Sequence, residues 1–407
     1  MGIRIVIVDD NPHVSWEGRV YPVNATFQHF GSGLLDLPGS PVVAITSCVP
    51  LREATATPAS LPLDPRIRVV GTVPFDGIAG YLRHLPAMFR ANRPTLRGAF
   101  AEADLVWIKV PASNGGLAVW LAWRAGVPRF TWVAGSAAEV AVARYGGVAA
   151  LGARLVGRGY DVAGRLASIG GDRVVVGRDL DSSGVVASLV EPDEVRDRGR
   201  DPWPGTPGRL ELAWAGRLVD GKGLDELLAA IALLAGTATT GGGGPATAGG
   251  SGPALDVRLT VIGAGPAQER LIDLAARIGV SERVGWAGYL ADRPSYLAAL
   301  AGADAFVFPS PAEGFPKVIL DAMALGLPVV ARPSGSLAEL GPGRLELIRA
   351  DDPTAIADAI LRLTTTPTLA TSLRDAGRAF AAAHTRQAET TRLVERWQAR
   401  WPELPWG

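Results

Sequence analysis

The chain is 407 residues long, more than one ordinary core accommodates and enough for two domains. Basic and acidic side chains number 40 each, so the formal net charge is zero and nothing in the balance favours a nucleic-acid partner. A single cysteine, Cys48, excludes an intramolecular disulfide framework and a cysteine-based zinc site, and fits a reducing, cytoplasmic setting.

The opening MGIRIVIVDD is a short apolar run that meets acid at once, which reads as a first strand and not as a signal peptide. No charge-free run of about 18 apolar residues follows, so a membrane-spanning helix is not expected. Strands are predicted at residues 3–8, 42–46, 67–70, 105–110, 129–133 and 173–176, with helical patterns at 80–89, 96–102, 116–125 and 148–157 between them. Within 81–97, Arg83, His84, Arg90, Arg93 and Arg97 lie among apolar residues. Pro86 and Pro94 interrupt that pattern, which favours a solvated basic face over a membrane-surface helix. The charged, then Pro- and Gly-rich stretch 196–208 is the expected linker. A second alternation follows, with strands at 210–215, 258–262, 284–287, 305–308 and 328–331 and helices at 224–234, 267–278, 293–301 and 317–325. Residues 237–252 (TATTGGGGPATAGGSG) lack the apolar surface to order themselves and read as a surface insertion. A helix is expected again at 387–401. This alternation of strand and helix predicts an α/β fold of two Rossmann-like, doubly wound parallel sheets facing a cleft, with ligands outside the carboxyl ends of the strands.

Four segments of the second half can meet at that edge. Gly216-Arg217-Leu-Val-Asp-Gly221-Lys222-Gly223 follows a strand and pairs a forked donor with a point charge, suited to a diphosphate; the plainer reading is a turn with two solvated cations. Gly263-Ala-Gly265 is a glycine-rich strand-to-helix turn, but Gln268 stands where a dinucleotide fingerprint needs its third glycine, so a loop packed against a nucleotide is preferred to an oxidoreductase motif. Trp286 and Tyr289 flank Gly288 at a strand end, where an aromatic could face a base; Trp286 serves equally well as core. Last, Glu313-Gly314-Phe315-Pro316-Lys317-Val318 runs from a turn into a helix that carries Asp321. Two acids thus bracket a helix start, whose unpaired amides and roughly half positive charge seat a phosphate.

In this order and spacing the four segments resemble the retaining GT-B glycosyltransferases of family 4, over roughly 210–331, the rest of the chain agreeing only in architecture. The resemblance implies an acceptor-binding first domain (1–200), a nucleotide-sugar-binding second domain (201–385) and a C-terminal helical segment (386–407) packing back on the first. It implies that Arg217 and Lys222 hold the donor diphosphate, Glu313 the donor sugar and Asp321 the ribose, with the amides of 314–318 helping. Gly216, Gly263, Gly265 and Trp286 complete the expected donor site. Asp321 is shorter than the family's glutamate, and Pro316 brings no N–H. The family's first-domain histidine near the donor's 6-hydroxyl has no counterpart in 109–116 or 130–136, which suits a pentose or 6-deoxysugar donor. His29 and Gly31, in a glycine-rich stretch that reads as a turn, and Asn114 are the candidates there, although a packed or solvated His29 is the plainer reading. The implied reaction is metal-independent sugar transfer with retention, with no cofactor beyond the nucleotide sugar and with a small-molecule, glycan or lipid-linked acceptor. The competing classes are a catalytically inactive nucleotide-sugar-binding module and, further off, a dinucleotide-dependent oxidoreductase.

Overall fold

The computed structural model describes residues 2–407 apart from 24–25, 59, 75–76, 111, 135–157, 160–161, 163–167, 179–183, 197–208, 237–238, 241–243, 246–254, 312 and 342. Met1–Leu189 together with Arg386–Gly407 form one compact unit, and Val190–Thr385 form a second.

The first unit opens with β1 (Ile3–Val8), a hairpin of β2 (His13–Trp16) and β3 (Arg19–Pro22), helix α1 (Thr26–Asp36) and the long β4 (Val42–Glu53). It continues with β5 (Ile67–Thr72), α2 (Gly77–Ala101), β6 (Leu105–Val110), α3 (Gly115–Ala125), β7 (Arg129–Val133) and β8 (Asp172–Val175). The parallel strands lie in the order β5-β4-β1-β6-β7-β8, and β2 pairs with the far end of β4. That is the order of a doubly wound sheet whose winding reverses between β1 and β6. β1 and β6 are almost wholly buried, as strands covered on both faces must be.

The second unit runs β9 (Arg209–Ala215), α4 (Leu224–Leu234), β10 (Thr239–Thr240), β11 (Gly244–Pro245), β12 (Asp256–Ile262), α5 (Gln268–Arg277), β13 (Val284–Gly288) and α6 (Arg293–Ala301). It then runs β14 (Ala305–Phe308), α7 (Lys317–Ala324), β15 (Val329–Ala331), α8 (Ser336–Leu340), β16 (Glu346–Leu347), α9 (Pro353–Thr365) and α10 (Pro367–Ala383). Its sheet, β13-β12-β9-β14-β15-β16, is parallel throughout and repeats the same winding, with the reversal between β9 and β14.

The last helix, α11 (Arg386–Arg400), belongs to the first unit. Trp397 is fully buried and packs edge-on to Trp107 at 5.7 Å and Phe130 at 5.2 Å. Glu389 is equally buried and accepts the Val186 amide at 3.0 Å, while Arg396 forks onto Asp172 at 2.5 and 2.8 Å. Burying two aromatic faces and satisfying a buried carboxylate together tie this helix to its sheet.

Three expectations change. The helical patterns at 80–89 and 96–102 fall in one helix, α2 (Gly77–Ala101), not two: Pro86 and Pro94 lie within it, and both are exposed, where water can take up the carbonyls their missing N–H groups leave. The stretch Gln28–Gly33 is not a turn but the middle of α1, where a Cβ on Gly33 would lie 3.1 Å from Arg386 and Thr390 of α11, so the glycine admits helix-to-helix contact. The β2–β3 hairpin was not anticipated, because four-residue strands carry little periodicity. The predicted helix at 148–157 and nearly all of the predicted linker lie outside the described residues. Of the insertion 237–252, Thr239–Thr240 and Gly244–Pro245 form an antiparallel pair.

Candidate functional site

In the second unit the chain leaves β9 and β14 at the carboxyl edge and turns in opposite directions, the place where such sheets bind ligands. The loop after β9 lies directly on the loop after β12. The Gly216 amide donates to Ile262 O at 3.0 Å, Leu218 to Ala264 O at 3.1 Å, and Ala267 to Leu218 O at 3.1 Å. Contact this close explains the glycines. Gly263 holds φ 136°, and a Cβ there would stand 1.9 Å from Gly216 O; one on Gly265 would stand 2.2 Å from Leu218 O. Gly263 and Gly265 therefore seat the Arg217 loop, a reason that needs no dinucleotide.

Gly223, at φ 75°, opens α4 and passes so near the following loop that a Cβ would lie 2.4 Å from Pro309 O. That approach brings Lys222 to Glu313. The two form an ion pair through Oε1, with side chains 27% and 18% exposed. The buried Ser310 hydroxyl donates to the same oxygen at 3.0 Å. Arg217 is exposed on the same loop.

The Glu313 loop is held from behind. Ser336 Oγ donates to Gly314 O, and Ser334 Oγ to Ser310 O at 3.3 Å. Phe315 and Pro316 are buried, Pro316 precedes α7 without a side-chain cap, and Lys317 and Val318 open the helix half-buried.

Asp321, eight positions after Glu313, sits elsewhere in the chemistry. It is 5% exposed; Oδ1 accepts from Arg293 at 2.9 Å and Oδ2 from the Tyr296 hydroxyl at 3.1 Å. Arg293 also forks onto Glu194 with two contacts of 2.6 Å. Burial pushes the Asp321 carboxyl above the usual carboxylate range, against the pull of Arg293 and Tyr296. Tyr296 is raised too, by burial first and then by the neighbouring carboxylate. Burial works against the Arg293 charge, but Glu194 and Asp321 outweigh it and hold the guanidinium ionised. Trp286 packs against the core of this unit, its plainer reading. Reading the sequence did not find Ser310, Ser334, Ser336, Glu194, Arg293 or Tyr296, because serines and lone charges carry no pattern until a fold gives them neighbours.

The first-unit candidates are separate from one another in role. His29 and Gly31 lie within α1; burial, and Arg386 beside it, depress the His29 pKa. Asn114 is buried just ahead of α3 and accepts from Asn92 Nδ2 at 3.0 Å. The winding reversal of this unit carries a cluster the sequence did not announce. Asp9, 2% exposed, accepts from Lys109 Nζ at 2.8 Å, and Asp10 takes both the amide and, at 2.6 Å, the hydroxyl of Ser113. Among the described residues no group of three or more His, Cys, Asp or Glu could hold a metal ion, and no helix is long and apolar enough to cross a membrane.

Residues 209–366 match the family described as Glycosyl transferases group 1. A GDP-mannose-dependent alpha-(1-6)-phosphatidylinositol dimannoside mannosyltransferase of Mycobacterium tuberculosis is 27% identical over 184 residues, 45% of this chain and 43% of that protein. The chain thus spans less than half the length of that relative. Among solved structures, sucrose-phosphate synthase from Thermosynechococcus elongatus superposes with a TM-score of 0.62 at 18% identity, covering 98% of this chain and all of the other. The Anabaena protein HepE in complex with UDP-glucose gives 0.59 at 16% identity, with 98% and 100% covered. These structural likenesses establish the fold, which is GT-B.

Proposed function

We propose, from the match of residues 209–366 to the group 1 glycosyl transferases, that the chain moves a sugar from a nucleoside-diphosphate sugar to an acceptor hydroxyl, with retention of anomeric configuration. The observation that carries the reading is the meeting of Lys222 and Glu313 at the winding reversal, with Arg217 on the same loop and the start of α7 beside them. Two cations and a helix start form a seat for a diphosphate. One relative uses GDP-mannose and one structural neighbour was solved with UDP-glucose, so both bases are donor candidates.

Arg217, Lys222 and the helix start stabilise the charge that grows on the departing diphosphate, the task a metal ion would otherwise perform. Glu313 orients the donor sugar. Glu313 and Asp321 are not an acid–base pair about one bond, since Asp321 is buried against Arg293 and Tyr296. The departing phosphate oxygen therefore takes the acceptor proton on the face it leaves, which retains configuration. A ribose contact by Asp321 would have to share an oxygen with Arg293 or Tyr296. The first unit is assigned to the acceptor.

Arg217→Ala and Lys222→Ala are each expected to lower transfer about 10²–10³-fold, the scale of losing one group that stabilises developing charge. Either variant transferring at the full rate removes the diphosphate assignment. NMR of the product's anomeric proton tests retention. A protein that binds nucleotide sugar yet neither transfers nor slowly hydrolyses it is the binding module instead.

A further inference from the structure

Glu313 is bound in an uneven way. Both of its internal partners, Lys222 Nζ and Ser310 Oγ, converge on Oε1, while Oε2 has no partner among the described residues. Lys222 is also the residue assigned to the diphosphate. A ligand phosphate must therefore draw Lys222 away from a carboxylate that already neutralises it. Both side chains are only partly exposed, so salt screens the contest weakly.

We propose that Glu313 is an internal rival of the diphosphate for Lys222. Lys222 passes from Glu313 to the phosphate when donor binds and returns when product leaves, while Ser310 retains the freed carboxylate and keeps it aimed at the sugar. This deepens the donor-site reading above and rests on it. The departing nucleoside diphosphate carries an additional negative charge relative to the sugar conjugate, so it would grip an unopposed Lys222 hardest. Glu313 thereby favours release of the product over its retention. Ser310 is a positioning residue in this scheme, since it acts through Glu313.

Calorimetric titration of uridine, guanosine and adenosine diphosphates into wild type, Glu313→Gln, Lys222→Met and the double variant tests the proposal. The diphosphate that wild type binds should bind Glu313→Gln about five- to tenfold tighter, as expected for release of a pair worth about 1 kcal/mol. In the Lys222→Met background the same change should shift affinity less than about twofold, because the contested cation is gone. Glu313→Gln binding no tighter than wild type, or tightening equally in both backgrounds, overturns the rivalry while leaving the donor site standing. Binding of none of the three diphosphates by wild type overturns the donor-site reading and the rivalry with it. For Ser310, Ser310→Ala should lower kcat with diphosphate affinity within about twofold of wild type, and Ser310→Thr should restore kcat. Unchanged kcat in Ser310→Ala removes its positioning role.

Discussion

The two units wind their parallel strands in the same order and equip the reversal point with opposite chemistry. In the second unit Arg217 and Lys222 follow the first strand, and α7 opens after Pro316 with no side chain capping it. In the first unit the first strand is followed by Asp9 and Asp10, and Asp10 already occupies the amide and hydroxyl of Ser113 just ahead of α3. A helix start attracts an anion, and in the first unit the chain supplies a carboxylate of its own just ahead of α3. Sheet order therefore locates an edge, but the side chains placed there decide what it accepts. The second edge sets cations beside a helix start, and the first sets carboxylates there.

The largest effect that could break this contrast concerns backbone approach. Gly263→Ala forces a Cβ to 1.9 Å from Gly216 O at a φ of 136°, and should cost about 4 kcal/mol or more, read as a fall in melting temperature with loss of nucleotide binding. Gly116→Ala, in α3 of the first unit, meets nothing within 4 Å and should stabilise by up to about 1 kcal/mol. Equal behaviour of the two variants would dissolve the distinction between a glycine that seats a ligand loop and one that does not.

Next in size is Asp321→Asn. Removing one charge from the Glu194–Arg293–Asp321 chain should cost about 3 kcal/mol in chemical denaturation, because the remaining buried groups lose a balanced partner. If Asp321 serves the helix and not the ribose, wild type and variant will discriminate equally between a nucleoside diphosphate and its 2′-deoxy form. Discrimination lost only in the variant would return Asp321 to the ribose.

The smallest effect concerns Asp10. Burial pushes its carboxyl from 3.8 up to about 6, and repulsion from Asp9 adds to this, while Ser113 and Lys109 pull it down. A folded-state value above the unfolded one means a contribution to stability that is full below about 4 and lost as pH rises through about 6. The stability of wild type relative to Asp10→Asn should therefore fall by about 2 kcal/mol across that window, partial exposure having reduced the nominal amount. A flat difference between the two proteins from pH 4 to pH 7 would show that the first edge carries no buried charge conflict.

Much of the second unit was legible because its information is local. Helices at 224–234 and 293–301 and the strand at 305–308 begin and end where apolar periodicity and turn residues mark them. Arg217, Lys222 and Glu313 were legible for the same reason, each lying in a turn just past a strand. The first unit resisted. Glycines at 31 and 33 looked like a turn but lie within α1, where Gly33 serves packing against α11, a helix separated from α1 by most of the chain. Two prolines looked like helix breaks, but their cost depends on whether the freed carbonyls meet water.

The sequence by itself determined the alternation of strands and helices, the turns that carry charge, and hence the class of fold, since backbone propensity and side-chain period act over a few neighbouring residues. Only the tertiary structure decided that Lys222 and Glu313, 91 positions apart, meet as a pair, that Asp321 turns inward to Arg293 and Tyr296, and that Gly263 exists to admit a neighbouring loop. Those are through-space contacts of a few ångströms between segments distant in the chain, and they exist only once parallel strands have brought their ends to one edge.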